Sequence, residues 1–246
     1  MTGFDFADPD SGISATLRPS GAAVIFDHDD VLAAAPQADA QLTEGDAETS
    51  VRMQLDGASL KLELAPIAAP LALGGEGTGA EELTVCRVLG ELDVGGKTRP
   101  ISCLGIRSEA GSGAEGDASL TRSIAVAFGD GGILALDATR PRGAETHAEE
   151  EIVAAFADPE GIATAFTETL LSTQYDEDGR QVRATLELWP EQESAPSPGR
   201  RAAGRIVCGT SLMLGEQRLD LAIFRWSMDG TPGLGRYEVL YSAGEA

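Results

Sequence analysis

The chain has 246 residues, 42% hydrophobic and only 5% aromatic, so it is long enough to bury a sizeable core built mainly from Leu, Ile, Val and Ala. A formal net charge of -22 argues against nucleic acid and anionic membrane surfaces as partners, because both are held by Lys and Arg. No run approaches the roughly 18 apolar residues that cross a bilayer, and Met1 to Asp8 lacks the basic-then-apolar pattern of a secretory signal, so a cytoplasmic protein without a membrane span is expected.

Two strand signals open the chain, Ile13 to Arg18 and Ala22 to Asp27, and an Ala- and Asp-rich connection is expected from there through Gln41. The clearest hairpin follows. Val51, Met53 and Leu55 share one face, Asp56-Gly57 supplies a two-residue turn, and Leu60, Leu62 and Leu64 share a face on the return. Ala65 to Ala80 is rich in Pro and Gly and reads as a loop or irregular edge. Leu83 to Leu89 and Arg99 to Arg107 flank Gly95-Gly96 as a second hairpin, and Ile124 to Phe128 and Ile133 to Asp137 flank Asp130-Gly131-Gly132 as a third.

Thr146 to Ala157 is ambiguous, since Thr146 with Glu149 resembles a helix capping box, but a strand is preferred. Ile162 to Thr173 returns from a turn at Asp158-Pro159-Glu160-Gly161. Val182, Ala184, Leu186 and Leu188 then alternate with polar residues as a half-buried strand. Pro190 to Arg201 is a loop, Ile206 to Leu214 and Arg218 to Met228 flank Gly215-Glu216, and Tyr237 to Tyr241 closes the chain. Gly90, Gly96, Arg99 and Ser108 recur at one constant offset as Gly209, Gly215, Arg218 and Ser227, a faint sign of hairpin duplication. The fold class is therefore all-β. An antiparallel meander of hairpins closes into a barrel or two packed half-barrels, as one domain over 1–246 or as half-units of about 1–140 and 141–246.

No constellation in the sequence identifies a reaction, and the catalytic residues are unknown. Gly111 to Gly116 spells GxGxxG, but no helix pattern follows to hold a pyrophosphate, so no dinucleotide cofactor is expected. Asp27-His28-Asp29-Asp30 and Asp176-Glu177-Asp178-Gly179 read as solvated turns, and no metal site is assigned. Cys86, Cys103 and Cys208 form no CxxC and lie in apolar stretches, as buried free thiols do. His147 and Arg140 border a loop that would meet a ligand if it lies over a barrel mouth. Trp226 and Tyr237, apolar bodies with polar tips, suit a pocket wall or the core.

Gly90-Glu91-Leu92-Asp93-Val94-Gly95-Gly96, Leu104-Gly105-Ile106-Arg107, Asp130-Gly131-Gly132, Trp226 to Gly230 and Gly235-Arg236-Tyr237-Glu238 together resemble the lipocalin-like β-barrel superfamily of carotenoid hydratases and AttH-type proteins. The resemblance spans about residues 80 to 240. It implies a barrel that holds an isoprenoid or polyketide-like molecule, with hydration or cyclisation by acid catalysis in some members. Ser108-Glu109-Ala110-Gly111 stands where the family has a Trp-Gly pair, so no catalytic residue is carried over.

Three functions remain open. The first is binding of an apolar or amphipathic small molecule in a barrel pocket, with Arg107, Trp226, Tyr237, His147 and Arg140 as ligand-binding candidates. The second is an isomerase, cyclase or hydratase, which would need a carboxylic acid kept protonated by burial, with Glu187, Glu168 and Glu238 as candidates. The third is a scaffold without a pocket.

Overall fold

The computed structural model describes residues 2–45, 47–74, 81–109, 118–144, 146–190 and 199–242, and most of these lie in strands. A first sheet is built from β1 (Thr2–Asp8), β2 (Ile13–Leu17), β3 (Ala23–Asp27), β4 (Asp30–Ala35), β5 (Asp39–Glu44), β6 (Thr49–Leu55), β7 (Ala58–Pro66), β8 (Leu71–Leu73), β9 (Glu81–Val94) and β10 (Lys97–Glu109). A second is built from β11 (Ala118–Phe128), β12 (Ile133–Pro141), β13 (Glu151–Ala157), β14 (Ala163–Tyr175), β15 (Gln181–Pro190), β16 (Arg200–Leu214), β17 (Gln217–Met228) and β18 (Thr231–Tyr241).

The first sheet runs β4-β3-β2-β1-β10-β9-β7-β6-β5 with β8 beside β9, and it curls into a half-barrel whose edges β4 and β5 are not hydrogen-bonded to each other. The second is a closed, eight-stranded, antiparallel up-and-down barrel, because β11 pairs both with β12 and with the final strand β18. Closure leaves no edge for another chain to pair with.

Alternation drives each strand to one place. Val51, Met53 and Leu55 of β6 and Leu60, Leu62 and Leu64 of β7 are buried, while Arg52, Gln54, Lys61 and Glu63 face water. Between them Asp56 and Gly57 take φ of 45° and 82°, the positive pair that a twist-matched two-residue turn requires. Those residues join Phe4, Phe6, Ile13, Ile25 and Val88 in the half-barrel core. The closed barrel is filled by its own side chains, among them Leu134, Leu186, Phe128, Phe224, Trp226 and Tyr237.

The outer faces of the two units meet through two apolar contacts. Leu71, Leu83, Val85 and Ile106 pack on Ala125, Ile133 and Ala155, and further along Val24 and Phe26 pack on Leu219, Leu221 and Ile223.

Several expectations need correction. The connection expected after Asp27 holds two strands, β4 and β5. They are edge strands with little burial, so an Ala- and Asp-rich sequence satisfies them without a strong apolar pattern. The short edge strand β8 lies within the Pro- and Gly-rich stretch. Thr146 to Ala157 splits into a 3₁₀ turn, His147–Glu149, and β13; the Thr146 N–H donates to Glu149 Oε1 at 3.1 Å, so the capping-box residues do meet. The hairpin turns Gly95-Gly96 and Gly215-Glu216 sit one residue out of the register that the sequence recurrence needs. The chain passes from one sheet to the other between Glu109 and Ala118, and the GxGxxG stretch at 111–116 lies outside the described residues.

Candidate functional site

Alternation also decides which polar side chains are caught between the units. On β1, Phe4 and Phe6 enter the half-barrel core, so Asp5 and Ala7 face the other way. On β18, Tyr237 and Val239 enter the closed barrel, so Arg236 and Glu238 point outward at β1. Arg236 Nη1 donates to Asp5 Oδ2 at 3.0 Å and Nη2 donates to Glu81 Oε1 at 3.0 Å. Arg18 Nε lies 3.2 Å from Glu238 Oε2, and Arg236 Nε lies 3.9 Å from the same oxygen. Asp137 of β12, cross-strand from Ser123, accepts a hydrogen bond from it and feels the charges of Glu81 and Arg236.

Four carboxylates, Asp5, Glu81, Asp137 and Glu238, thus share two guanidinium groups, Arg18 and Arg236. The side chains of Asp5, Arg236 and Glu238 are 2%, 4% and 4% exposed, which removes them from the water that would otherwise solvate the charge. Burial pushes the Asp5 carboxyl up to about 7 despite the Arg236 charge. Burial also pushes Asp137 up to about 6, with the negative charge of Glu81 acting in the same direction. Glu238 Oε1, Thr16 Oγ1, Ser108 Oγ and Arg236 Nε are buried without a hydrogen-bond partner among the described residues. Such atoms are uncommon in native interiors, and here all four belong to strand faces turned toward the contact between the units.

A cleft of about 380 Å³ opens along the same contact, lined by Ala7, Cys103, Leu104, Ala127, Arg225 and Leu234 among others. Ala7 follows Asp5 on one face of β1, and Leu234 precedes Arg236 on one face of β18, so the cleft lies beside the charged group along the seam, although none of that group's side chains lines it. Its floor is fixed by the buried Asp8, whose carboxylate accepts from the N–H groups of Asp10 and Ser102, each at 3.0 Å. A second recess of about 340 Å³, bordered by Arg99 and Pro100, adjoins it across Asp8 and Ser102.

The candidates read from the sequence are distributed differently. Trp226 and Tyr237 are buried inside the closed barrel, each packed against Phe224 with ring centroids 5.6 and 5.4 Å away. Arg140 and the turn that contains His147 lie at the end of the barrel toward which Tyr237 points, and Arg140 Nε donates to Ser119 Oγ at 3.0 Å. Arg107 belongs to the other unit, where it donates to Thr49 Oγ1 at 3.1 Å and pairs with Glu109 at 2.9 Å, so it does not join the rest.

Of the glutamates, Glu238 is in the buried interface group, Glu168 faces water and Glu187 pairs with Arg201 at 3.3 Å. His28, at a positive φ of 61°, bonds Asp27 at 2.8 Å, and Arg99 binds the other Asp27 oxygen at 2.7 Å. Asp176 caps its own turn by accepting from the N–H groups of Asp178 and Arg180. Cys86 and Cys208 are buried free thiols, pushed up to about 11 and about 12 by burial, while Cys103 is half-buried in the cleft wall. No group of three or more His, Cys, Asp or Glu among the described residues is placed to hold a metal ion.

Sequence reasoning missed Asp5, Arg18, Glu81, Asp137 and Arg236. Asp5, Glu81, Asp137 and Arg236 occupy polar positions on strands, which in an isolated sheet face water, and Arg18 follows directly on the end of β2. One signal was available: Asp5 between Phe4 and Phe6, and Arg236 and Glu238 on either side of Tyr237, are charges set inside otherwise apolar strands.

The fold is that of a lipocalin-like, all-β protein made of a half-barrel and a closed barrel with a charged, partly open seam between them. The chain is similar to the crystal structure of an AttH-type protein from Nitrosomonas europaea, with a TM-score of 0.69 at 15% identity over 97% of this chain and 90% of that one. It is similar to kievitone hydratase from Nectria haematococca, with a TM-score of 0.64 at 10% identity over 100% of this chain and 89% of the other. It is similar also to CghA, with a TM-score of 0.63 at 11% identity over 100% and 88%. No protein-family model and no curated sequence matches the chain. No helix among the described residues is long and apolar enough to cross a membrane.

Proposed function

We propose that the chain binds an apolar or amphipathic small molecule, isoprenoid or polyketide-like, in the cleft between its two units. The observation that carries this reading is the juxtaposition of a mainly apolar cleft of about 380 Å³ with a buried polar group that still has unpaired atoms. A volume of that order suits a small ligand, and a few convergent polar groups at its end would orient one. The packed interior of the closed barrel favours the seam over the barrel lumen as the place of binding. Likeness in fold to a hydratase supports a small molecule as the ligand.

The test is native followed by denaturing mass spectrometry of the purified protein, beside Leu104→Trp, which fills the cleft from its wall. A compound released by the wild type and absent from the variant is the expected result. Equal release from both would overturn the reading.

A second reading is favoured by one observation. Asp5 and Asp137, at about 7 and about 6, stay partly protonated near neutral pH, as a general acid in a hydratase, cyclase or isomerase must. In this reading one of the two acids gives its proton to an alkene or enol carbon of the bound molecule, water or an internal hydroxyl captures the cation, and the proton that this nucleophile releases returns to the carboxylate. Uptake of label from ¹⁸O-water or deuterated water into the compound, lost in Asp137→Asn, supports this reading. Binding without label uptake returns the chain to a carrier.

A further inference from the structure

A second polar group lies elsewhere, inside the mouth of the closed barrel. Arg122 of β11 points inward with Leu120 and Ile124, and its side chain is 4% exposed. Glu150, the residue before β13, reaches in from the connection that holds the His147–Glu149 turn, and its side chain is 0% exposed. Arg122 Nη2 donates to Glu150 Oε2. Arg122 Nη1 donates to Thr173 Oγ1 at 3.3 Å, and that hydroxyl lies 2.6 Å from the Tyr237 hydroxyl. Tyr175 lies close enough for its charge to act on Arg122, and it is 37% exposed.

Two features of this pair are unusual for a plug. A buried ion pair is seldom more stabilising than an apolar pair of the same volume, and at the opposite end of this barrel Phe128 and Phe156 sit edge to face 6.2 Å apart with the half-exposed Arg200 guanidinium 4.4 Å over the Phe156 ring. Moreover, the guanidinium is only half used. A carboxylate bonds best to an arginine through two parallel N–H groups, yet Glu150 takes Nη2 while Nε, on the same edge of the fork, has no partner among the described residues. Around this cradle the half-buried Ile152, Leu171 and Tyr241 pack on the barrel core and give the mouth an apolar rim.

We propose that the mouth of the closed barrel is a second ligand site, selective for a small amphipathic carboxylate, and that Glu150 occupies it as an internal stand-in for the ligand's acid group. A ligand carboxylate engages Nε and Nη2 of Arg122 together, and the hydroxyls of Thr173 and Tyr237 border it. Its apolar body lies against Leu171, Ile152 and Tyr241. The site uses inward faces of β11, β14 and β18, whereas the cleft uses outward faces, so the two readings stand or fall separately.

Octanoate is the probe, with octanol as its neutral counterpart, and binding is read by calorimetry. In the wild type octanoate competes with Glu150 and binds weakly. Glu150→Gln removes the competing charge and keeps the volume, so octanoate binds roughly tenfold more tightly, the effect of a charge-assisted hydrogen bond regained by the ligand. Arg122→Met with Glu150→Gln removes both charges of the pair, so neither is stranded by the loss of the other, and it loses octanoate binding. Octanol is held equally by all three. In the wild-type background, Tyr237→Phe weakens octanoate and not octanol.

Octanoate affinity equal in the E150Q and R122M/E150Q proteins would overturn the proposal and make the pair a structural plug. An E150Q protein that fails to fold, together with a Tyr237→Phe protein that binds octanoate as the wild type does, would overturn it as well.

Discussion

Asp5 in the first strand and Arg236 in the last are joined across the seam by a 3.0 Å hydrogen-bonded ion pair in which both side chains are all but inaccessible to water. The pair ties the chain's two ends together. Arg236→Met leaves Asp5, Glu81 and Glu238 facing one another without their common cation, and breaking a buried pair of this kind costs about 3–5 kcal/mol. Urea unfolding should show this loss. Arg236→Met with Asp5→Asn is expected to recover part of it, because one of the stranded charges is gone.

Stability is expected to fall as pH rises from about 4 to about 7. Asp5 and Asp137 have folded-state values near 7 and 6, above their ordinary 3.8, so over this interval the native state holds protons that the unfolded chain has released. Their contribution is complete below about pH 4 and gone above the folded values. Asp27 and Asp176 act oppositely, but in another window. Arg99 hydrogen-bonds Asp27 and the Arg180 N–H hydrogen-bonds Asp176, which lowers both, so their contribution is lost only as pH falls below the ordinary carboxylate range. Thermal unfolding across pH 4 to 8 should show the decline, flattened in Asp5→Asn and in Asp137→Asn.

The seam that closes the barrel depends on Gly235. A Cβ there would sit 2.0 Å from the Ala125 carbonyl oxygen and 2.6 Å from Val126 Cα, both backbone atoms of β11 that cannot turn aside. Gly235→Ala should cost roughly 1–3 kcal/mol or more through forced separation of β11 and β18, as overpacking does. Hydrogen exchange should rise first at the amides that pair these two strands, and protection there equal to wild type would contradict the account.

Trp226 reports on the barrel interior. It is 1% exposed, and a Cβ at Gly204 would lie 2.6 Å from its ring, so the indole fills its space completely. The chain has two tryptophans, and Trp189→Phe isolates the signal of Trp226. Its emission should be blue-shifted and unchanged when a compound fills the inter-unit cleft. A shift on ligand addition would move the ligand from the seam into the barrel. Trp226→Ala should cost about 3–5 kcal/mol, the range for emptying a large aromatic site.

Strand identity and turn position were legible because they are local. Alternation over β6 and β7, and the positive φ of Asp56 and Gly57, follow from side-chain order and backbone sterics within a few residues. The same local logic, with resemblance in turn chemistry, was enough to anticipate an all-β, lipocalin-like architecture, which the likeness to the AttH-type structure shares. The weakly patterned edge strands β4 and β5 were missed because an edge needs little burial to pair.

What only the tertiary structure decided is which strand faces meet. A period of two tells that Asp5 and Arg236 point away from Phe4 and Tyr237, but not what lies opposite. Two carboxylates and a guanidinium that read as solvent-facing along the chain become one buried group when β1 packs on β18, 231 residues away. Burial raises the cost of charge and so shifts Asp5, a change that arises from a distant surface and leaves no trace in neighbouring residues.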